Sequence, residues 1–492
     1  MKKEKSIIKN SLYSSIKTMA AILFPMITYP YVARVLDVDQ LGAVNFGNSI
    51  ISYFLLFGSF GISEYAVRSG ARIRNNGGKF KTFCSQMFSL NVVFSIIAYI
   101  GLTVIIYNIK YLNNYRFMIS ILGISILLAP FAIEWFYSIV EDFQYITVRT
   151  IAIQALSAVL LFLFVRDKED IYNYVMLLVI AGGLGNLLNF IHSRKYIRIC
   201  LIFTKNMFVH VNSLKIFFVN SITSTIYLNS DVTLLGVFCS DYSVGLYSVA
   251  TKIYSIVKQV FNSIVITIIP RIAFCAANDE EEYYKITKNI FSFIILFSIP
   301  SSVGLFLLRK EIVYLIAGEK YVQASTSLGI LAFAIVFAVL ANISANGILV
   351  ALGKEKMVVR ATMVSALVNV IANFIMIPFF QERGAAITTL MAEICMLLFS
   401  GYYLKDTLTL YIDKKNIKDV VLSTFVMIAA FFITDNLSQL ITPSMIIQLV
   451  VKILISVCTY IAVLFIVRNQ VLKSIVILIE EKMKKDIKKT CR

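Results

Sequence analysis

The sequence predicts an all-α protein that crosses a membrane about fourteen times, as two six-helix lobes in parallel pseudo-repeat followed by two further helices. Three observations carry that prediction. First, 59% of the 492 residues are hydrophobic and only 15% are charged, with a mean hydropathy of +0.80. A soluble core cannot hide that much apolar side chain. Second, the apolar stretches recur at lengths near the roughly 20 residues that cross a bilayer core about 30 Å thick. Third, a turn near the start of the chain is written again about two hundred residues later.

In chain order, the basic start MKKEKSIIK leads into polar NSLYSSIK rather than a short apolar run with a small-residue cleavage site, so the first helix is expected to serve as an uncleaved anchor. Six spans, at roughly 10–35, 43–66, 83–107, 116–139, 146–165 and 170–192, make a first lobe over 1–195. A linker at 196–212 precedes a second lobe over 213–412, with spans at 213–238, 243–269, 287–308, 325–351, 358–380 and 384–404. Two more spans, 418–435 and 443–467, lie in 413–467, and a basic tail follows at 468–492. In the tail Val471, Ile475, Leu478, Ile479, Met483 and Ile487 recur at helical spacing, the pattern of an interfacial amphipathic helix facing anionic lipid. Pro25 and Pro30 should bend the first helix, because each removes a backbone hydrogen bond.

Charge supports this topology. With the N-terminus inside, 32 of the 46 lysines and arginines fall in inner segments and 8 in outer loops, as expected where basic loops stay cytoplasmic. Both termini are then inside. The net charge of +18 is scattered among membrane-flanking loops, so no nucleic-acid partner is indicated. Seven cysteines form no CxxC and no regular spacing, and read as packing residues. His192 and His210 have no ligand set near them, so no metal is expected.

The repeat has a fixed offset. Shifted by 203, Leu41 falls on Val244, Gly42 on Gly245, Ile50 on Ile253 and Arg68 on Arg271. The shift carries helix 1 onto helix 7 and helix 2 onto helix 8, an even number of spans, so the halves keep the same orientation. Two such lobes would enclose a cavity.

Polar stripes in hydrocarbon must face protein or water. Helix 1 carries Asn10, Ser14 and Lys17 on one face, and helix 7 carries Ser213, Asn220, Ser224 and Asp231. Helix 8 carries Lys252, Ser255, Gln259 and Asn262, with Ser49, Ser52 and Ser59 polar on helix 2. Beyond the loops six basic residues remain: Lys17, Arg34, Arg149, Lys252, Lys258 and Lys452. A charge near the bilayer centre costs roughly 2.5–3.5 kcal/mol on insertion scales. An anionic ligand would offset that cost, Arg by a bidentate fork on phosphate and Lys as a point charge. Lys17, Arg34, Lys252, Lys258, Arg149, Gln259 and Asn220 are therefore the candidate substrate-binding residues. Plainer readings exist: Lys17 can snorkel, Arg34 can pair with Asp37, Arg149 can pair with Glu141 or Asp142, and Lys452 can pack within the last two helices. Asp231, Glu134 and Glu393 are intramembrane carboxylates suited to a proton or cation, or to pairing with the lysines.

The turn RVLDVDQLGAVNFGNSIISYF, the following FGSFGISEYAVR, and the later LNSDVTLLGVFCSDYSVGLYSVATKIYSIVKQVFNSIVITIIPRI resemble bacterial polysaccharide flippases of the Wzx type, in the multidrug/oligosaccharidyl-lipid/polysaccharide exporter superfamily. The resemblance covers nearly the whole chain. It implies a fourteen-helix transporter, not an enzyme, in the bacterial plasma membrane. It also implies movement of an undecaprenyl-diphosphate-linked oligosaccharide, a capsule, O-antigen or exopolysaccharide repeat unit, from the inner to the outer leaflet by alternating access through a cationic central cavity. No cofactor is implied beyond coupling to an H+ or Na+ gradient or the membrane potential. Membrane lipids, a polysaccharide polymerase and glycosyltransferases are the implied partners. A lipid II or teichoic-precursor flippase and a multidrug cation antiporter share this plan. A membrane enzyme would need a larger folded loop.

Overall fold

A computed structural model describes residues 7–411, 413–441, 444–477 and 480. Every regular element among them is helical. The chain runs α1 (Ile7–Val35), α2 (Val38–Ser59), α3 (Ile62–Ile73), α4 (Gly77–Asn108), α5 (Arg116–Leu128), α6 (Glu134–Ile139), α7 (Phe143–Phe164), α8 (Ile171–Ser193) and α9 (Val209–Phe238). It continues with α10 (Asp241–Asn278), α11 (Glu280–Leu307), α12 (Arg309–Ala317), α13 (Ala324–Asn342), α14 (Glu355–Tyr402), α15 (Lys405–Tyr411), α16 (Lys414–Ile441) and α17 (Met445–Ile466).

Twelve segments among the described residues are long and apolar enough to cross a membrane. One of them, the 48-residue α14, breaks at Gln381, whose φ of 50° is non-helical, and so supplies two arms. The 30-residue α9 is not among the twelve, because Asn212, Ser221, Thr223, Ser224, Asn229 and Asp231 dilute its apolar character. Counting both arms of α14 and adding α9 gives the fourteen spans expected. Large apolar side chains are abundant on the surface, among them Ile97 (60% exposed), Phe379 (79%) and Ile466 (77%). Such a surface needs lipid around it. α1 continues as one helix through Pro25 and Pro30.

Two compact units are present. The first comprises Met1–Ser248 with Asn373–Glu382, and the second Val249–Ala372 with Arg383–Arg492. They do not coincide with the lobes read from the sequence, since α9 belongs to the first unit. The reason is its seam with α2: the Thr233 hydroxyl donates to Ser49 Oγ at 2.9 Å, and Phe46 fills the space left by Gly236. The core of the first unit gathers Phe83, Met87, Trp135, Phe136 and Tyr137 from α4 and α6. That of the second gathers Ile295, Leu296, Val420, Met427, Tyr460 and Leu464 from α11, α16 and α17.

The repeated turn has a direct structural use. A Cβ on Gly42 would run into the Asp241 carbonyl, and a Cβ on Gly245 into the Val38 carbonyl. Val38 and Asp241 are related by the same 203-residue shift as Gly42 and Gly245. The N-terminal ends of α2 and α10 therefore cross backbone to backbone with local two-fold character, each glycine admitting the other turn. Asp37 caps α2 through a box with Gln40, whose Nε2 also donates to the Lys168 carbonyl at 2.9 Å.

In the tail, a helix at 470–477 follows α17 and presents Val471 and Ile475 to the second unit's core. Leu478, Ile479, Met483 and Ile487 lie outside the described residues.

Candidate functional site

In the first unit three candidate residues meet. Lys17 Nζ approaches Glu134 Oε2 at 2.9 Å, and Arg149 Nη2 approaches Glu134 Oε1 at 2.7 Å, so each carboxylate oxygen holds one cation. Local structure arranges this. A 3-10 turn at Ala129–Ala132 breaks the span between α5 and α6 and leaves Glu134 as the first residue of α6. Thr147 on α7 donates to the Tyr13 carbonyl on α1 at 2.9 Å, which brings Arg149 level with Lys17, one turn beyond Tyr13. On α8, Gly185 leaves room for the guanidinium, since a Cβ there would press on Arg149 Nη1. Arg149 is the most enclosed member, with its side chain 11% exposed against 34% for Lys17 and 43% for Glu134. Two cations on one carboxylate leave a net charge of +1 on a partly open surface. The plainer partners for Arg149 are taken: Glu141 pairs with Arg74 at 2.5 Å, and Asp142 accepts the Tyr196 hydroxyl at 2.5 Å.

Other candidates stand apart from this cluster. Arg34 is exposed in the last turn of α1, about 26 Å along the helix axis from Lys17. Asp231, on α9, is buried and accepts the Tyr247 hydroxyl and the Asn373 amide, each at 2.6 Å. Asn220 lies on α9, but its side chain falls outside the described residues.

The second unit holds a different arrangement. Lys258 Nζ lies 2.5 Å from Glu393 Oε1, and the Tyr254 hydroxyl donates to the same oxygen at 2.8 Å. The ammonium also lies over the Tyr254 ring, 5.4 Å from its centroid. Glu393 is 4% exposed and Lys258 23%. Lys252 is half-buried and Gln259 exposed, seven residues apart on one face of α10. Lys452, 4% exposed, is held by Glu311 at 3.3 Å and by Asp435. Among the described residues no group of three or more His, Cys, Asp or Glu could hold a metal ion.

The sequence reading did not anticipate the tyrosines. Tyr247 and Tyr254 lie seven apart on α10 and serve two of the buried carboxylates, Asp231 and Glu393. That spacing on a helix that also carries Lys252 and Lys258 was the available signal.

Long apolar helices define a multi-pass membrane protein, and comparison with known proteins specifies it. A family model described as polysaccharide biosynthesis protein matches residues 7–276, more than half of the chain, and a second, described as MatE, matches 216–375. A Shigella dysenteriae protein named "Putative O-antigen transporter" is 22% identical over 80% of this chain and 98% of its own length. A Haloferax volcanii protein named "Probable low-salt glycan biosynthesis flippase Agl15" is 25% identical over 49% of this chain and 51% of its own. Among solved structures, a lipid II flippase, MurJ, in an inward closed conformation, superposes with a TM-score of 0.72 at 17% identity, covering 94% of this chain and 99% of that one. The family matches and the shared fold place the chain in the multidrug/oligosaccharidyl-lipid/polysaccharide exporter superfamily. Within it, the chain belongs to the polysaccharide biosynthesis protein family.

Proposed function

We propose that the protein moves undecaprenyl-diphosphate-linked oligosaccharide repeat units from the cytoplasmic to the outer leaflet of a bacterial plasma membrane, by alternating access, with both termini cytoplasmic. The single observation that carries this reading is the Lys17–Glu134–Arg149 cluster. Its excess positive charge is partly open, and Glu134 holds both cations through the oxygens that a diphosphate would replace. The head group would displace Glu134, pair with Lys17 and the Arg149 fork, and leave when Glu134 returns. Lys252, Gln259 and Asn220 are proposed to meet further phosphate or sugar oxygens, and Arg34 to act near the opposite end of α1. Lys258 is assigned a supporting part through Glu393. Asp231, Glu134 and Glu393 are the carboxylates through which an H+ or Na+ gradient could act.

The names of the relatives support a lipid-linked glycan as cargo. The test replaces Lys17 and Arg149 singly by Ala and by the other cation. Surface polysaccharide is measured in cells, and lipid-linked oligosaccharide translocation in proteoliposomes. Both Ala variants are expected to lose at least tenfold, with Arg149→Lys not restoring transport because the fork is lost. Wild-type transport in both Ala variants would remove this cluster from the mechanism.

A further inference from the structure

The segment after α17 is fastened with unusual care. Arg468 turns the backbone with φ of 55°, a conformation that costs energy for a non-glycine residue. Asn469, 2% exposed, then donates to Asn416 Oδ1 and to Asp419 Oδ2, both at 3.0 Å. Its Oδ1 accepts the amides of Val471 and Leu472 at 3.1 Å each, capping the helix at 470–477. Asn416 continues the chain of bonds to the Ser292 carbonyl on α11 at 3.0 Å.

The tail helix so fixed is one wall of a cavity of about 860 Å³ in the second unit, completed by the last turns of α10 and the first turns of α11. The lining is divided by chemistry. Ile264, Ile268, Phe293, Val471 and Ile475 form an apolar side. Arg271, Lys285 and Lys288 form a cationic side with Glu282 and Asp413. Arg271 pairs with Glu282 at 3.2 Å, and Lys288 with Asp413 at 3.6 Å. Lys285 makes no ion pair among the described residues, so the cavity carries one uncompensated positive charge.

We infer that this cavity binds an anionic membrane phospholipid, its phosphodiester at Lys285, Arg271 and Lys288 and an acyl chain along Ile264, Phe293 and Ile475. A free anion would leave the apolar wall against water, and a neutral apolar ligand would leave Lys285 unmet; one amphiphile satisfies both. A single phosphodiester charge also matches the net +1, which a diphosphate would exceed. All of these groups lie at helix ends that the lysine and arginine distribution assigns to the cytoplasmic face, where anionic lipid is drawn to basic segments. The lipid would brace the tail helix against α10 and α11.

The test uses the full chain in detergent, titrated separately with phosphatidylglycerol and phosphatidylcholine and read by native mass spectrometry. Wild type is expected to retain phosphatidylglycerol at least fivefold over phosphatidylcholine. Lys285→Gln with Lys288→Gln should bring the ratio to parity, and the Arg pair at the same positions should restore it. Ile475→Trp, which fills the cavity without touching a charge, should lower retention of both lipids. Equal retention by wild type, or an unchanged ratio in the Gln pair with helix content intact, would overturn the assignment. So would displacement of phosphatidylglycerol by an equal concentration of undecaprenyl phosphate, which would give the cavity to the substrate's lipid.

Discussion

The two units each place a carboxylate beside basic side chains, and they do so to opposite effect. In the first, Glu134 is shared by Lys17 and Arg149, is 43% exposed, and leaves charge over. In the second, Glu393 is 4% exposed, is matched one to one by Lys258, and accepts the Tyr254 hydroxyl at the same oxygen. A neutral, closed pair is expensive to disturb and has little to offer a ligand. An open cluster with a surplus cation is cheap to disturb and can exchange its carboxylate for another anion. On the proposed function the first serves as a site, while the second fastens α10 to the second arm of α14.

The sharpest way to break this contrast is to remove one lysine from each. Lys258→Met strands the buried Glu393 carboxylate and is expected to cost on the order of 3–5 kcal/mol of stability. Adding Glu393→Leu should recover most of that, because the pair is then replaced by apolar groups. Lys17→Met, at a cluster more than one-third open, should cost about 1 kcal/mol or less. Thermal unfolding in lipid nanodiscs checks all three. Equal losses for the two lysine variants would erase the distinction.

Glu134→Gln leaves Lys17 and Arg149 without their shared anion, so a diphosphate head group should bind about tenfold tighter, roughly 1.4 kcal/mol, while transport falls because release is slowed. Glu393→Gln should leave that affinity unchanged. Equilibrium binding of a soluble head-group analogue, set beside a translocation assay, separates the two. Weaker binding in Glu134→Gln would show that the carboxylate positions the cations rather than competing for them.

How much of this was legible beforehand follows the physics of each signal. Span number was readable because burial in lipid imposes length on the chain itself, whereas Val471 and Ile475 of the tail, read as facing lipid, pack against the second unit's core. The glycines at 42 and 245 were visible as a repeat, but that each admits the other's turn was not, since contact between distant segments leaves no local mark. Lys17 and Arg149 were recognised as charges in need of a partner. Their meeting at Glu134 depended on the break at Ala129–Ala132 and on Gly185, neither of which has a periodic signature. Lys258 and Glu393 were each singled out as lone intramembrane charges, but their pairing across α10 and α14 was not readable, since it joins residues 135 positions apart.

Gly185 offers a smaller, more selective perturbation of the open cluster. A Cβ there would press on the far end of the Arg149 side chain, which can swing aside. Gly185→Ala is therefore expected to cost about 1 kcal/mol and to reduce transport severalfold by turning the guanidinium away from Glu134. Unchanged transport would mean that the orientation of Arg149 is immaterial and only its charge counts.

The smallest effect concerns a third polar group in the first unit, one that carries no charge at all. His210, in the first turn of α9 and ahead of the membrane span expected over 213–238, accepts the Tyr65 hydroxyl at Nδ1 (2.7 Å) and meets Gln86 Oε1 at Nε2 (3.2 Å), against the edge of Phe83. Those partners suit a neutral ring, and burial pushes its pKa below the ordinary 6.5. The unfolded chain therefore binds a proton first as pH falls through about 6.5. Stability is full above that value and declines below it until the folded ring also protonates. Melting temperatures of wild type and His210→Gln, followed from neutral pH downward, should diverge in slope below pH 6.5, with the variant flatter. Parallel slopes would mean that the ring titrates alike in the folded and unfolded chain, and that its contacts with Tyr65 and Gln86 do not favour the neutral form.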